Sequence, residues 1–449
     1  MLQTEYENRM KALLGDGYAD YLRAMSSQPE KAIRINTNKI SNADFVGAFP
    51  FATENVPFDE NALYVNVGTE DKLGNLPLHF AGGFYVQEPS AMTPVASLPI
   101  KKDMRVLDMC AAPGGKSIQA LSRLVGTGYL VANEISPSRC AVLMGNIERM
   151  GYKNAIVTNL DSDAVASVYA GAFDAVICDA PCSGEGMMRK LDIARNEWSV
   201  QNVVKCAERQ AQILDNAARC VAPGGYLLYS TCTFSTEEDE CIVSDFLSRH
   251  PDFELIDAPD EVKAQTVCGI GMEKARRFYP HTGRGEGQFL SVMRRTSSSF
   301  ADSEITQKHD RYPADELRVI NVFLTETIGY IPGGALIKHG DTYSLMPSGA
   351  MLPPHSVYAA GVKIGQVQKG RIVPHHQYFS AFGAEFKNRI DLHSSDNDAA
   401  KYIGGNVIDA HGAAVGWAAV TIDGCAIGGA KVSDGQAKNH FPKGLRKTI

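Results

Sequence analysis

Residues Phe173–Lys190 read FDAVICDAPCSGEGMMRK. An apolar run, Ala175 to Cys178, ends in Asp179, and Pro181 and Cys182 then open a glycine-rich loop. The run has the length and bounds of a buried strand, and open α/β sheets carry their chemistry at the carboxyl ends of strands. A carboxylate, a proline turn and a thiol therefore stand together where a substrate would lie. The same residues have a purely structural reading, because Cys is a common small core residue and Pro-Cys an ordinary turn. The flanking sequence decides between the two.

Strand-like runs recur at Arg105–Met109, Gly128–Glu134, Asn154–Leu160 and Tyr226–Cys232. Helical stretches lie between them, the clearest at Ser117–Val125, Pro137–Met150, Val200–Val221 and Thr236–His250. Strands alternating with helices predict a mostly parallel sheet covered on both faces. A last strand pair is expected at Phe253–Ile256 and Gln288–Arg294. Ahead of this region, Glu5–Met25 has helical spacing, and KAIRINTNKI (Lys31–Ile40) alternates like a strand with its basic side chains on one face. A small α+β unit then closes near Gly82–Gly83. After Arg295 the composition changes. Thr296–Tyr312 lacks apolar periodicity and is expected to be a linker, Pro313–Ile328 a helix, and the remainder a set of short strands with glycine turns.

Composition bounds the function. Apolar content of 44% and charged content of 21% in 449 residues are those of a globular protein of two to four domains. MLQTEYENRMKALLG has no uninterrupted apolar core, so no signal peptide is expected, and no apolar run approaches the ~20 residues of a membrane span. Ten cysteines with no CxxC pair argue against a disulfide framework or a zinc site; no metal is expected, and a reducing cytoplasm is. The net charge of −7 does not suggest a nucleic-acid binder, but phosphate contacts need only a local patch. Two segments, Ile270–Arg295 and Lys431 to the end, each carry a balance of +4. Such runs are equally the solvated face of an ordinary domain.

The first strand leads into DMCAAPGGKS (Asp108–Ser117), where paired glycines would let backbone approach a ligand. A P-loop needs Gly where Cys110 stands, and the GxGxxG pattern is missing. Glu134 ends the second strand, about twenty residues beyond the glycines, where an acid commonly accepts ribose hydroxyls, and Asp161 follows the third. Acids in series suit a nucleoside with a cationic or neutral tail, such as S-adenosylmethionine. For Glu134 alone, a helix-start carboxylate is an equal reading. Cys232 ends the fifth strand in YSTCT. With the fourth and fifth strands as neighbours, ~4.8 Å apart, Cys182 and Cys232 would face one cavity beside Asp179.

CAAPGGKS, EISPSR, DAPCSGEG and STCT, in this order and spacing, resemble the RNA cytosine-5 methyltransferase family of the Sun and nucleolar-protein type, and within it the RsmF group. RINTNK (Arg34–Lys39), FYVQEPSAM (Phe84–Met92) and RRFYPHTGRGEGQFLSVMRR (Arg276–Arg295) extend the resemblance, and KNHFPKGLR (Lys438–Arg446) is similar to the end of that group's RNA-binding module. The fold implied is α/β: a Rossmann-like methyltransferase sheet at residues 84–296, a small N-terminal α+β RNA-binding domain at 1–83, a linker and small α+β domain at 297–385, and a PUA-like module at 386–449. The activity implied is methyl transfer from S-adenosylmethionine to carbon 5 of cytidine in 16S ribosomal RNA, free or in the small subunit. The same chemistry on transfer RNA, or a non-catalytic assembly factor, are the alternatives.

By this resemblance Cys232 is the nucleophile that adds to carbon 6 of the base. Cys182 assists proton loss or product release, and Asp179 hydrogen-bonds the base edge. Ala112, Pro113, Gly114, Gly115, Lys116, Ser117, Glu134, Asp161 and Asp179 would line the cofactor site. Arg34, Lys39, Lys190, Lys438, Lys443 and Arg446 are the candidate RNA contacts. Arg189 and Lys190 are also candidates for favouring the thiolate of Cys232, since a free thiol has a pKa near ~8.5, although solvated phosphate contact is the favoured role for both. Removing the chain from about residue 390 is expected to weaken RNA binding and flatten its salt dependence.

Overall fold

A computed structural model describes residues 2–68, 71–124, 126–297 and 312–448. The alternating strands and helices build a ten-stranded central sheet. Its middle is five parallel strands, which we number in chain order: Arg105–Asp108, Tyr129–Asn133, Ala155–Thr158, Phe173–Asp179 and Val221–Thr231. They lie in the order 5-4-1-2-3. The strand order therefore reverses between the first and fourth strands, which is where such sheets open a crevice for ligands.

Gln288–Arg295 pairs antiparallel with the fifth strand, and Phe253–Ile256 pairs with Gln288–Arg295, as the sequence predicts. At the opposite edge, Val357–Ala360 returns from far along the chain to pair antiparallel with the third strand. Nothing local marks those four residues as a strand; the open edge of the third strand supplies the partner.

Both faces of the sheet are covered. On one, Leu214 and Ala217 pack with Tyr229, Phe246 and Phe289; on the other, Val95, Ile118, Leu143 and Ile147 do so with Val106 and Leu228. The helix Val200–Cys220 begins where the Ser199 side chain accepts from the Asn202 N–H. It buries Val203, Cys206, Gln210, Leu214 and Ala217 at helical spacing. Gln210 is the polar member of that stripe. The helix expected from Thr236 starts only at Glu240, because Thr236–Asp239 forms tight turns instead. The helix expected over Ser117–Val125 spans Gly115–Leu121, and Val125 lies outside the described residues. So does most of the expected linker, residues 298–311.

The N-terminal sheet runs Ala52–Asn55, Ala62–Asn66, Ala32–Ile35, Phe84–Val86. The division expected after residue 83 thus falls inside this sheet. Phe84–Val86 is its last strand because the Phe84 ring is buried against Phe45 and Phe49. The strand expected over Lys31–Ile40 ends at Ile35, where Asn36 turns the chain and donates to the carbonyls of Gly82 and Met150.

Two expected RNA contacts in that segment are corrected by burial. Arg34 is 2% exposed, with Nε 3.0 Å from Asp59 Oδ2 and its guanidinium donating to Ser122 Oγ. Lys39 Nζ is enclosed and donates to the carbonyls of Ala81, Arg149 and Ala426 and to Ser380 Oγ. Burial pushes its pKa down to about 7. Neither side chain is placed to touch a phosphate. The alternation that suggested a basic face reports instead a strand buried on both sides.

After the helix Ala314–Ile328 come a four-stranded sheet (Ala335–His339, Thr342–Met346, Val362–Gln368, Arg371–Pro374) and a five-stranded one with Gly416–Ile422 and Cys425–Ser433 near its centre. The last sheet does not stand alone. Ile390, Tyr402 and Ile427 share a single apolar core with Ile33, Leu78 and Phe84 of the N-terminal sheet. Truncation near residue 390 would therefore strip that core as well as remove basic residues, so single charge substitutions are the cleaner test of RNA contact. Among the described residues no helix is long and apolar enough to cross a membrane.

Lys39 holds these pieces together. Lys39→Met should leave three buried carbonyls short of a donor, at about 1–3 kcal/mol each before relaxation. A fall in melting temperature of roughly 5–10 °C is expected. An unchanged melting curve would show that the ammonium contributes nothing to the docking.

Candidate active site

The parallel pairing of the fourth and fifth strands puts Asp179 opposite Ser230, so the loops that follow leave the sheet side by side. Cys182 Sγ and Cys232 Sγ are 3.1 Å apart, and the Cys232 N–H points at Cys182 Sγ at 3.3 Å. Both cysteines are free and half-buried. The hydrogen bond between the thiols, followed by burial, holds the Cys182 thiol well above its ordinary range. With one thiol binding its proton that tightly, the pair can hold one proton while the other sulfur is the nucleophile.

Asp179 is fixed from two sides. Its Oδ1 accepts from Ser230 Oγ at 2.7 Å, and its Oδ2 pairs with Lys116 Nζ at 2.8 Å. Lys116 comes from the glycine turn after the first strand and so connects the two halves of the crevice. Burial works against its charge, but Asp179, Cys232 and Asp108 outweigh that and leave its pKa raised. Ala112, Pro113, Gly114, Gly115 and Ser117 surround it on the same turn. Gly114, at φ +115°, is the conformation glycine alone adopts easily. A Cβ on Gly115 would come within 3.4 Å of Gln87 and Tyr85.

Asp108, at the end of the first strand, accepts from Ser117 Oγ at 2.6 Å, and burial pushes its carboxyl up to about 7. Its Oδ1 and the Oε1 of Gln87 are buried and unpartnered. Unpaired acceptors beside a glycine turn suit a ligand that brings donors, an amino group or hydroxyls, rather than phosphates. The residues present therefore fit S-adenosylmethionine.

Glu134 is buried, accepts from the Ser136 N–H and pairs with Arg139, which also donates to the Ala112 carbonyl. Asp161 is exposed and caps the helix Ser162–Val168 by accepting from the Ala164 N–H. Asn159 ties the two loops together by donating to the carbonyls of Glu134 and Ile135. Arg139 and Asn159, which brace these loops, are residues that sequence reading did not single out. The Arg of EISPSR was the available signal for the first; Asn159 has none.

Arg189 and Lys190 are not available to the thiols. Glu286 is bidentate with Arg189, at 2.7 and 2.9 Å, and lies 3.5 Å from Lys190 Nζ. The Arg189 guanidinium is buried, so it is no phosphate contact either; Lys190 is partly exposed with its charge already paired. At the far end of the chain, Lys438 and Lys443 are exposed, while Arg446 Nε donates to the Phe441 carbonyl. Trp417 packs against Phe379 and His440, as core filler would.

Acidic side chains hold the loop floor. Glu185 accepts from Trp198 Nε1, Ser235 Oγ and the Phe234 N–H, which pins the glycine-rich loop to the turn after Cys232. Gly186 lets these segments touch: a Cβ there would stand 3.0 Å from the Cys232 carbonyl. Sequence reading missed Glu185, although it lies within the quoted DAPCSGEG.

Family models match three consecutive parts of the chain: the N-terminal domain of 16S rRNA methyltransferase RsmF at residues 2–89, 16S rRNA methyltransferase RsmB/F at 95–294, and the methyltransferase RsmF PUA domain at 389–447. The ribosomal RNA small subunit methyltransferase F of Aeromonas salmonicida is 30% identical over 430 residues, covering 92% of this chain and 90% of that protein. Among solved structures, a methyltransferase homolog protein from Pyrococcus horikoshii is 25% identical with a TM-score of 0.55, over 65% of this chain and 95% of that one. NSun6 from the same organism, at 21% identity, shares the fold with a TM-score of 0.59 over 66% of this chain and 99% of its own.

Proposed function

The chain belongs to the ribosomal RNA small subunit methyltransferase F family, and from that membership we propose that it methylates carbon 5 of a cytidine in 16S ribosomal RNA through a transient Cys232–cytosine bond. The observation that carries this reading is the pair of thiols in contact at the ends of neighbouring strands, beside a carboxylate held by Lys116. Neither a structural role nor simple RNA binding needs two free thiols at one mouth.

The Ala112–Ser117 turn, Glu134, Asp161 and Asp179 would hold S-adenosylmethionine, which would supply the methyl group on its sulfonium. The residues of the chain make the base reactive. Cys232 adds as thiolate to carbon 6, turning the ring into an enamine whose carbon 5 can attack. Lys116 balances the negative charge of thiolate and carboxylate before the bond forms. Asp179 keeps lone pairs free to accept from the base amino group and so holds the ring in place. After methylation, Cys182 gives its proton to the departing Cys232 sulfur and takes the proton from carbon 5. The one proton left over goes to water.

The target base must leave its stack, at a cost of about a few kcal/mol unless it is already unpaired. Contacts made by residues 386–449, with Lys438 and Lys443 facing the phosphates, would offset that cost. A cytoplasmic site of action follows from such a substrate.

The test is incorporation of labelled methyl groups into small subunits, free 16S RNA and transfer RNA, read by bisulfite sequencing. A single 5-methylcytidine-type signal in 16S RNA is expected. Label confined to transfer RNA, or on another atom, overturns the reading.

A further inference from the structure

The two thiols sit on separate loops, and their contact depends on what clamps Pro181–Ser183 against Thr231–Thr233. On one side of Cys182, Gln210 Nε2 donates to the Pro181 carbonyl at 3.0 Å. On the other, the Ser183 N–H donates to Glu238 Oε2 at 2.9 Å. Gln210 Nε2 reaches that same oxygen at 2.8 Å. Across the gap, Ser183 Oγ and Thr233 Oγ1 are 2.7 Å apart, and Thr233 Oγ1 is 3.5 Å from Glu238 Oε1. Tyr229 OH donates to the Glu238 carbonyl and so fixes the backbone from below. The hydrogen bonds from Ser183, Gln210 and Thr233 that flank the two thiols thus converge on the Glu238 carboxylate.

That carboxylate is unusual. Glu238 and Gln210 are both 0% exposed. Among the described residues no Lys, Arg or His pairs with Glu238, whose pKa burial raises against the hydrogen bonds from Ser183 and Gln210. A buried carboxylate without a cation costs several kcal/mol more than a neutral amide that could make similar hydrogen bonds. A residue kept only to hold the loop would be better as glutamine, so the charge itself needs a use.

We propose that Glu238, with Gln210, is the positioning residue of the second thiol, holding the Pro181–Ser183 loop so that Cys182 stays against Cys232 and carries the proton of the pair. This rests on the reading of Cys232 as nucleophile and Cys182 as release group. The groups that face Cys182 are Cys232, Glu238 and the buried Tyr229, with the Lys116–Asp179 pair beyond Cys232. Glu238 acts in the same direction as the thiol–thiol hydrogen bond and burial, each raising Cys182. A Cys182 that keeps its proton while Cys232 attacks is able to deliver it when Cys232 leaves.

Glu238→Gln keeps the shape and hydrogen-bond reach and removes the charge. We expect kcat to fall about tenfold, with KM for S-adenosylmethionine changed less than about twofold, since the residue touches neither ligand. The pH midpoint for alkylation of Cys182 by iodoacetamide, each cysteine being read by peptide mass, should move to lower pH. Glu238→Ala, which also releases the loop, should lose about another tenfold. If the alanine variant does not fold, the glutamine variant carries the test alone. An unmoved alkylation midpoint in Glu238→Gln overturns the proposal, whatever happens to kcat. So does a loss of activity matched by an equal loss of cofactor affinity. Cys182→Ala run in parallel separates the two levels: if it traps no RNA adduct, the reading of the thiols fails, whereas the alkylation midpoint still reports on Glu238.

Discussion

Cys232→Ala should reduce methyl transfer to less than about one-thousandth of the wild-type rate, because cytosine carbon 5 lacks the nucleophilicity to attack without prior addition at carbon 6. The loss is expected entirely in the chemical step. Cys232 is half-buried, and its backbone N–H keeps its contact with Cys182 Sγ whatever the side chain, so the loops should hold their places. Lys116 and Asp179 remain paired, and the glycine turn is untouched. Affinity for S-adenosylmethionine by calorimetry should therefore change by less than about twofold, well under the 1.4 kcal/mol of a tenfold change. A variant that still turns over at a tenth of the wild-type rate or better would remove Cys232 from the nucleophile role.

Cys182→Ala should behave in the opposite way. It leaves the nucleophile and the methyl donor in place but removes the group that hands a proton to the departing sulfur. The first turnover should proceed near the wild-type rate, and later ones should slow by about 100-fold, the range of a lost general acid–base group. Enzyme should then accumulate covalently on RNA as a species that survives denaturing electrophoresis. The double variant Cys182→Ala/Cys232→Ala should form none. Absence of the adduct in the single variant would assign Cys182 to packing. The 3.1 Å contact makes the contrast sharp: two sulfurs so close share one hydrogen bond and cannot both be efficient thiolates.

The groups that the structure gathers at the crevice were legible because they rest on local signals. Asp179, Pro181 and Cys182 follow one apolar run, and Cys232 follows another, so the identity and order of the groups could be read directly. The glycine turn at 114–115 and the missing P-loop glycine at Cys110 were equally local. What failed was the meaning of charge. Arg34 and Lys39 looked like one basic face of a strand, yet both are buried with partners 25 to 387 positions away in the chain. Arg189 and Lys190 looked free to serve the thiols, yet Glu286, nearly a hundred residues on, holds both. A charged side chain in a sequence carries no mark of whether its counter-charge or acceptor comes from water, from phosphate or from a distant turn.

The same limit explains the positioning residues. Thr236–Glu240, TEEDE, stands directly after STCT and reads as the solvated start of a helix. Folded, Glu238 turns inward to the Cys182 loop and Glu240 pairs with buried Arg277. An acidic run beside the nucleophile was the available signal, and only packing distinguishes the buried Glu238, Asp239 and Glu240 from the half-buried Glu237, which pairs with Arg9.

By itself the sequence determined the parallel sheet, the two thiols with their carboxylate and the glycine turn, since period-two and helical patterns and turn residues act within a few positions of one another. The tertiary structure alone decided that the thiols touch and that Lys116 reaches across to Asp179. It alone decided that a lone buried carboxylate clamps the second loop, and that the first and last sheets share one core. Those outcomes depend on which distant segments exclude water together. The energy of a charge or a hydrogen bond is set by that exclusion, and it exists only once the chain is packed.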